Sequence, residues 1–361
     1  MRFVIIGNSA AGVNAAQELR NADKDSQITI VSSEKDMAYS RCLISRFLDG
    51  RLKPDGLYFK TRNFYHNYDV KPLLGKTALS LDRSAKEVIL ASGERLAYDK
   101  LLLAVGAGPI RPKVSGLELS GIFNFYSLDD TRRIIKYVKD KNVKEAVVVG
   151  AGFVGLEAAY GLSKAGIKVT VVERCAQILP AQFDHISSEI IREDLEGLGL
   201  EIILDESLTS VNGESAVESV TIGEDTDIAC SLVIFASGVR PNTLLANEAK
   251  LNTAKGIVVD ELLKTNDPDI FAAGDCIEIE DAATGKRQPS ATWFNAVLQG
   301  KFAAGNMLGA NKRYSGAIGI QNSVQFHRLA AISFGISQIT DEDLDYEVIS
   351  HYNKEKKVYK K

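Results

Sequence analysis

The chain reads as an α/β protein with two separate three-layer units, each built on a parallel sheet, and a short α+β segment at the end. Three observations predict this. At the very start an apolar strand runs into a glycine turn and a small-residue helix, Arg2-Phe3-Val4-Ile5-Ile6-Gly7-Asn8-Ser9-Ala10-Ala11-Gly12. The same arrangement returns at mid-chain as Ala146-Val147-Val148-Val149-Gly150-Ala151-Gly152-Phe153-Val154-Gly155. One helix later each is followed by a second apolar strand and then a glutamate, which is the βαβ pattern. A glycine turn that opens a helix aims backbone N–H groups at an anion such as a pyrophosphate. Two such turns therefore predict two Rossmann-like, dinucleotide-binding units, and a protein with two redox dinucleotides is expected to move electrons between them.

The second turn is a complete GxGxxG between strand and helix. Gly150 permits the tight turn, Gly152 lets the backbone approach a pyrophosphate, and Gly155 lets the helix pack close to the strand. Phe153 and Val154 open the helix beside the same ligand. Val154, Ala158, Leu162 and Ala165 recur at helical spacing before the breaker Gly166, and Ile167-Lys168-Val169-Thr170-Val171-Val172 reads as the next strand. Glu173 closes that strand, near the roughly 20-residue offset at which a carboxylate meets an adenosine ribose. An acid there accepts from a 2′-hydroxyl and repels a 2′-phosphate, which favours NADH over NADPH; the adjacent Arg174 weakens that preference.

The first turn keeps Gly7 and Gly12 but has Ser9 where the middle glycine usually stands, with Ala10 and Ala11 completing it. Ala11, Ala15 and Leu19 line one helix face, and Gln27-Ile28-Thr29-Ile30-Val31 forms the second strand. Glu34 follows at a longer spacing, accommodated by the polar Asn21–Ser26 connection, and reads either as the ribose acceptor or as a solvated loop carboxylate. Thr265–Asp275 is a short apolar strand ending in a Gly274-Asp275 turn, where Asp275 is placed to accept from a polyol such as a flavin ribityl chain.

At this point the sequence resembles a family. The two glycine turns, Tyr98–Ala107, the run Gly238-Val239-Arg240-Pro241-Asn242 and the Ala273-Gly274-Asp275 turn resemble the FAD- and NAD(P)H-dependent pyridine nucleotide-disulfide oxidoreductase superfamily, in the expected order along nearly the whole chain. The resemblance implies FAD at the first turn and NADH at the second, with the NAD domain inserted into the FAD domain. It gives 1–110 and 241–312 as the FAD-binding domain, 111–240 as the NAD-binding domain, and 313–361 as a partial, dimerisation-type domain. It also places Gly106 and Gly238 at the cofactors and Glu157 near the meeting point of nicotinamide and isoalloxazine. Val105 and Gly108 depart from the family pattern, where threonine and arginine are usual.

Which branch is meant turns on the electron acceptor, and therefore on the cysteines. Cys42, Cys175, Cys230 and Cys276 form no CxxC, so no redox dithiol is visible. Single-cysteine NADH oxidases, peroxidases and coenzyme A-disulfide reductases carry their cysteine near the position of Cys42, but with a following glycine that is absent here. Ala38-Tyr39-Ser40-Arg41-Cys42-Leu43-Ile44-Ser45-Arg46 is more similar to the Tyr-x-Arg-Pro-x-Leu-Ser stretch of rubredoxin, ferredoxin and nitrite reductase flavoproteins. In that reading Cys42 replaces a proline and Arg41 lies at the flavin; as a redox thiol, Cys42 would have Arg41 and Arg46 to lower its pKa. By the same comparison Arg46 falls where relatives carry a lysine beside the flavin, and an Arg46–Glu157 ion pair is expected to stabilise charge developing at N5. Thr292 and Trp293 open a helix that lies against the flavin in relatives; Trp293 reads as a ring cover or as plain packing.

The chain has 361 residues, 45% hydrophobic and 25% charged, with a net charge of −4, which gives no reason to expect nucleic acid. Met1-Arg2 runs straight into the first strand, so no signal peptide is expected, and no apolar run approaches the roughly 18 residues of a membrane span; a cytoplasmic enzyme is expected. Scattered histidines and cysteines offer no metal-ligand spacing. Leu57–Leu103 reads as alternating short strands, Asp129–Lys139 and Ser187–Gly197 as helices, and Val348–Tyr352 with Lys356–Lys360 as a hairpin. Only a short segment follows Tyr314, which points to truncation of a longer chain or to a naturally reduced domain that packs on the core.

The expected function is an FAD-dependent NADH oxidoreductase, with hydride passing to flavin N5 and electrons then passing to a small carrier of the rubredoxin or ferredoxin type. Two alternatives stay open: a Cys42-dependent NADH oxidase, peroxidase or coenzyme A-disulfide reductase, and a sensor or interaction protein that binds NADH and flavin. A homodimer is expected if the last domain is complete.

Overall fold

Runs of β-branched and leucine residues bounded by glycine, asparagine and aspartate define the elements that position the site. In chain order they are β1 (Arg2–Ile6), α1 (Ala10–Ala22), β2 (Gln27–Ser32), α2 (Ile44–Leu48), β3 (Val70–Leu74), β4 (Lys100–Leu103), β5 (Ile122–Asn124), α3 (Leu128–Lys141), β6 (Glu145–Val149), α4 (Phe153–Lys164), β7 (Lys168–Val172), α5 (His185–Glu196), β8 (Glu201–Ile203), β9 (Leu232–Phe235), β10 (Ile270–Ala272), α6 (Trp293–Met307), β11 (Gln321–Phe326), β12 (Leu329–Phe334), β13 (His351–Asn353) and β14 (Val358–Lys360). The computed structural model describes residues 1–289, 291–317, 319, 321–326, 329–337 and 347–361. Parts of the expected 313–361 segment therefore lie outside the described residues.

The chain divides into two units. The first comprises Met1–Ser40, Pro54–Gly108 and Arg240–Gln321, and the second Arg41–Lys53, Pro109–Val239 and Asn322–Lys361. In the first, a five-stranded parallel sheet runs β10-β4-β1-β2-β3, with Val4 opposite Thr29 on one side and Leu101 on the other. Strands this apolar are buried on both faces, as expected for a parallel sheet covered above and below. Phe3, Ile5, Leu101, Leu102 and Phe271 are all at most 1% exposed. Helix α1 packs on α6 at Gly300, where a Cβ would lie 2.2 Å from the Ala11 carbonyl oxygen. A three-stranded antiparallel meander, Ala78–Asp82, Glu87–Leu90 and Arg95–Ala97, belongs to the same unit. Ahead of it, within the stretch expected to hold only strands, Phe64–Asn67 forms a helical turn that buries Phe64 and Tyr65.

The second unit repeats the plan as β8-β7-β6-β9-β5, with Val147 paired to Thr170 and Val233. The short segment Arg41–Lys53, placed by the sequence within the first domain, belongs to this unit. Its α2 packs closely against α4 at Gly161, where a Cβ would be 3.3 Å from Leu48 Cδ2. The C-terminal hairpin forms as β13 and β14, with Tyr352 opposite Tyr359. It groups with the second unit. No helix among the described residues is long and apolar enough to cross a membrane.

Candidate functional site

Both glycine turns sit at the carboxyl ends of their central strands, β1 and β6, which is where open parallel sheets bind ligands. In the first, Gly7 has φ +127° and approaches the Ala104 carbonyl oxygen so closely that a Cβ would be 1.9 Å away. A Cβ on Gly12 would be 1.9 Å from the Gly7 carbonyl oxygen, and one on Gly155 equally close to that of Gly150. No other residue fits either turn without moving its backbone. Gly152 differs: nothing stands within 4 Å of the position its Cβ would take. Val154 in the next turn is 49% exposed. The second turn is thus tight underneath and open above, the shape a pyrophosphate requires.

The helix starts agree with this. Ser127, Asp184 and Thr292 cap α3, α5 and α6 by accepting from Asp130, Ser187 and Asn295 N–H. Ser9 and Gly152, which precede α1 and α4, make no side-chain cap. The starts of these two helices thus have no side-chain cap, the condition in which a helix N-terminus can take an anion on its own N–H groups, here those of Ala10, Ala11 and Phe153.

The two strand-end glutamates are held differently. Glu34, half-buried after β2, accepts from Tyr39 Oη at 2.6 Å. Glu173 is 8% exposed; one carboxylate oxygen accepts from Ala151 N at 2.7 Å and the other from Cys175 N at 3.0 Å. A carboxylate has about four acceptor positions, so Glu173 retains capacity for a ribose hydroxyl. Gly274, with φ +85°, donates its N–H to Gln299 Oε1 at 2.8 Å, which fixes the turn that carries Asp275. Gly106 accepts from Asn242 N at 3.0 Å, and Gly238 from Ile110 N at 3.0 Å. Trp293 meets Phe59 edge-on at 4.9 Å between ring centroids. Thr292 Oγ1 is used as the cap of α6.

Arg41, Cys42, Arg46 and Glu157 all belong to the second unit. Arg41 donates to the Tyr126 carbonyl oxygen and lies over the Tyr126 ring. The Glu157 carboxylate, expected to pair with Arg46, instead accepts from Ser45 Oγ. Among the described residues no ion pair joins Glu157 to Arg46. Arg46 follows directly on Ser45 but turns outward and is exposed, because the apolar side of α2 buries Ile44 and Leu48. Burial pushes the Glu157 carboxyl above its ordinary range, opposed by the Ser45 hydrogen bond and by the charges of Arg46 and Arg51. Ser45 carried no signal in the sequence beyond its place in the Arg41–Arg46 run.

All four cysteines are thiols. Burial pushes Cys230 and Cys276 up to about 12, and raises Cys175 as well. Cys42 is exposed on a single 3-10 turn, Arg41–Leu43.

Two parallel-sheet units, each with a glycine turn opening a helix and a carboxylate at the next strand end, have the form of a pair of dinucleotide-binding domains. Residues 1–300 match the pyridine nucleotide-disulphide oxidoreductase family, and the chain belongs to it. Members of that family use FAD and NAD(P)H, and the chain is an enzyme of this flavoprotein class. It is 36% identical to an NADH oxidase of Methanocaldococcus jannaschii over 87% of this chain and 71% of that one. It is 32% identical to a rubredoxin-NAD(+) reductase of Pseudomonas putida, covering 86% and 81% of the two chains. The structure of reduced CoADR-RHD from Bacillus anthracis superposes with a TM-score of 0.89 at 25% identity, over 95% of this chain and 62% of that one. Against two further curated relatives the chain spans only 45% and 44% of their length.

Proposed function

We propose that the protein takes a hydride from NADH onto FAD and delivers the electrons to a small redox carrier of the rubredoxin or ferredoxin type. The observation that carries this is the state of the cysteines: none is joined in a disulfide, and three have thiols whose pKa is raised by burial. Without a dithiol relay, electrons leave through the cofactor itself. A bound flavin supplies the conversion between a two-electron donor and a one-electron acceptor.

In this reading the first unit is the FAD domain. The Gly7–Gly12 turn, with N–H groups at Ser9, Ala10 and Ala11, holds one pyrophosphate, Glu34 meets the ribose, and Asp275 accepts from the ribityl chain. Thr292, Trp293 and Gly106 complete that cofactor's surroundings. The second unit binds NADH through Gly150, Gly152, Phe153, Val154 and Gly155, with Glu173 on the adenosine ribose and Gly238 nearby. Glu157, its pKa raised and its carboxylate fixed by Ser45, is the group that holds a proton near the reacting end, with Arg46 as a more distant positive charge. The rubredoxin-NAD(+) reductase relative supports the choice of carrier.

An anaerobic titration of the purified flavoprotein with NADH tests the reading. Full bleaching of the flavin band at one equivalent is the expected result; two equivalents would reveal a second redox centre. That second outcome would favour a Cys42-dependent oxidase, peroxidase or disulfide reductase, which the exposure of Cys42 also permits. Peroxide-dependent turnover abolished by Cys42→Ser would establish it.

A further inference from the structure

The loop between β7 and α5 leaves Glu173 and is fastened to two different parts of the second unit. On one side Leu179, fully buried and at φ +50°, donates its N–H to the Ala151 carbonyl oxygen at 2.9 Å, inside the second glycine turn. A branched L-residue adopts that left-handed conformation only where its surroundings enforce it. Phe183 and Gln182 fold back onto the Leu179 carbonyl, and Phe183 meets the Phe153 ring at 6.1 Å.

On the other side the loop is held by the C-terminal segment. Ser333 Oγ donates to the Gln182 carbonyl oxygen, and Ser337 Oγ donates to that of Ala181 at 3.0 Å. Tyr359 Oη donates to Asp184 Oδ2 at 2.7 Å, and Lys361 Nζ lies 3.4 Å from the same oxygen. The second oxygen of Asp184 is already used, capping α5 through Ser187 N at 2.9 Å. One carboxylate thus ties the last strand of the chain to the helix that follows the loop.

We propose that this C-terminal segment is a clamp on the loop that carries the adenosine half of the nicotinamide dinucleotide, with Tyr359 as its principal positioning residue. The clamp acts through Asp184, the 179–184 turn and the Leu179–Ala151 hydrogen bond on the shape of the glycine turn. It touches neither the nicotinamide nor the flavin, so it sets affinity and not the chemical step. This rests on the reading of the second turn as the NADH site.

The test uses the FAD-loaded protein with Tyr359→Phe and, independently, Ser333→Ala. Calorimetry with ADP-ribose, which has the adenosine half and no nicotinamide, should show about a 5- to 20-fold weaker affinity in each variant. KM for NADH should rise by a similar factor with kcat unchanged. Turnover with reduced nicotinamide mononucleotide, which lacks the adenosine half, should equal that of the parent protein. Asp184→Asn, which keeps one oxygen to cap Ser187 N–H and presents an amide N–H from which the Tyr359 hydroxyl can accept, should retain most of the ADP-ribose affinity. Unchanged ADP-ribose affinity in both Tyr359→Phe and Ser333→Ala, or an equal loss with the mononucleotide, would overturn the clamp. Failure of the parent protein to bind ADP-ribose would instead overturn the underlying assignment of the second turn.

Discussion

The Ala151 N–H donates to the Glu173 carboxylate at 2.7 Å, so the acid at the end of β7 closes the glycine turn that precedes it by a whole helix. Its other oxygen holds Cys175 N. The residue read from sequence as a ribose acceptor is first a structural acceptor for two backbone donors.

Glu173→Ala should therefore do more than alter coenzyme preference. It strands the buried Ala151 N–H and the half-buried Cys175 N–H, at about 1–3 kcal/mol each if water does not reach them. Lowered thermal stability and at least a tenfold rise in KM for NADH, with no matching gain for NADPH, are expected. A stable variant that simply switches to NADPH would show that the carboxylate serves only the ribose.

Gly12→Ala and Gly155→Ala should separate the two cofactors. Each places a Cβ 1.9 Å from a carbonyl oxygen in its own turn. Overpacking of this kind costs about 1–3 kcal/mol and displaces the backbone. The first variant should purify with little FAD, and the second with normal FAD but slow bleaching by NADH. Absorbance spectra and stopped-flow traces read both, and the opposite pattern would reverse the assignment of the turns.

Glu157 gives a pH signature. Its folded-state pKa is raised, chiefly by burial. The protonated carboxyl is thus favoured in the folded protein, and stability present below the ordinary glutamate range is lost as pH rises through the raised value. Glu157→Gln should raise Tm by a few degrees at pH 8 and leave it unchanged near pH 4. Equal shifts at both pH values would mean the carboxyl titrates normally.

Arg46 lies outside ion-pair reach of Glu157 but still lowers its pKa by charge. Arg46→Ala should move the Glu157 titration further up, shifting the pH dependence of NADH-driven flavin bleaching to the alkaline side. Ser45→Ala removes the direct hydrogen bond and should shift it in the same direction. An unmoved profile in both variants would detach Glu157 from the reductive step.

Both glycine turns, their flanking strands and the α3 and α5 helices were legible because each follows from local spacing: apolar periods of two or 3.6, with glycine at the breaks. The helical turn at Phe64–Asn67 escaped because four residues show no period, and its aromatic pair mimics a strand. The departure of Arg41–Lys53 from its sequence neighbours involves packing of Leu48 on Gly161, more than a hundred residues away. Likewise Tyr359 and Asp184 meet across 175 positions, a separation at which composition and period carry no information. The cofactor turns are local features, whereas the groups that hold their partners in place are distant in sequence.

The contact of Gly300 with Ala11 has a consequence for how the protein is made. Helix α1 leaves the ribosome early, but the surface it packs on belongs to α6, and the whole of Pro109–Val239 must be synthesised in between. At about 5–20 residues per second that interval is on the order of tens of seconds. During it the first glycine turn waits beside an unfinished sheet that still lacks β10, while the five strands of the second sheet are all already in hand. The order of the turns along the chain is thus the reverse of the order in which their sheets are completed.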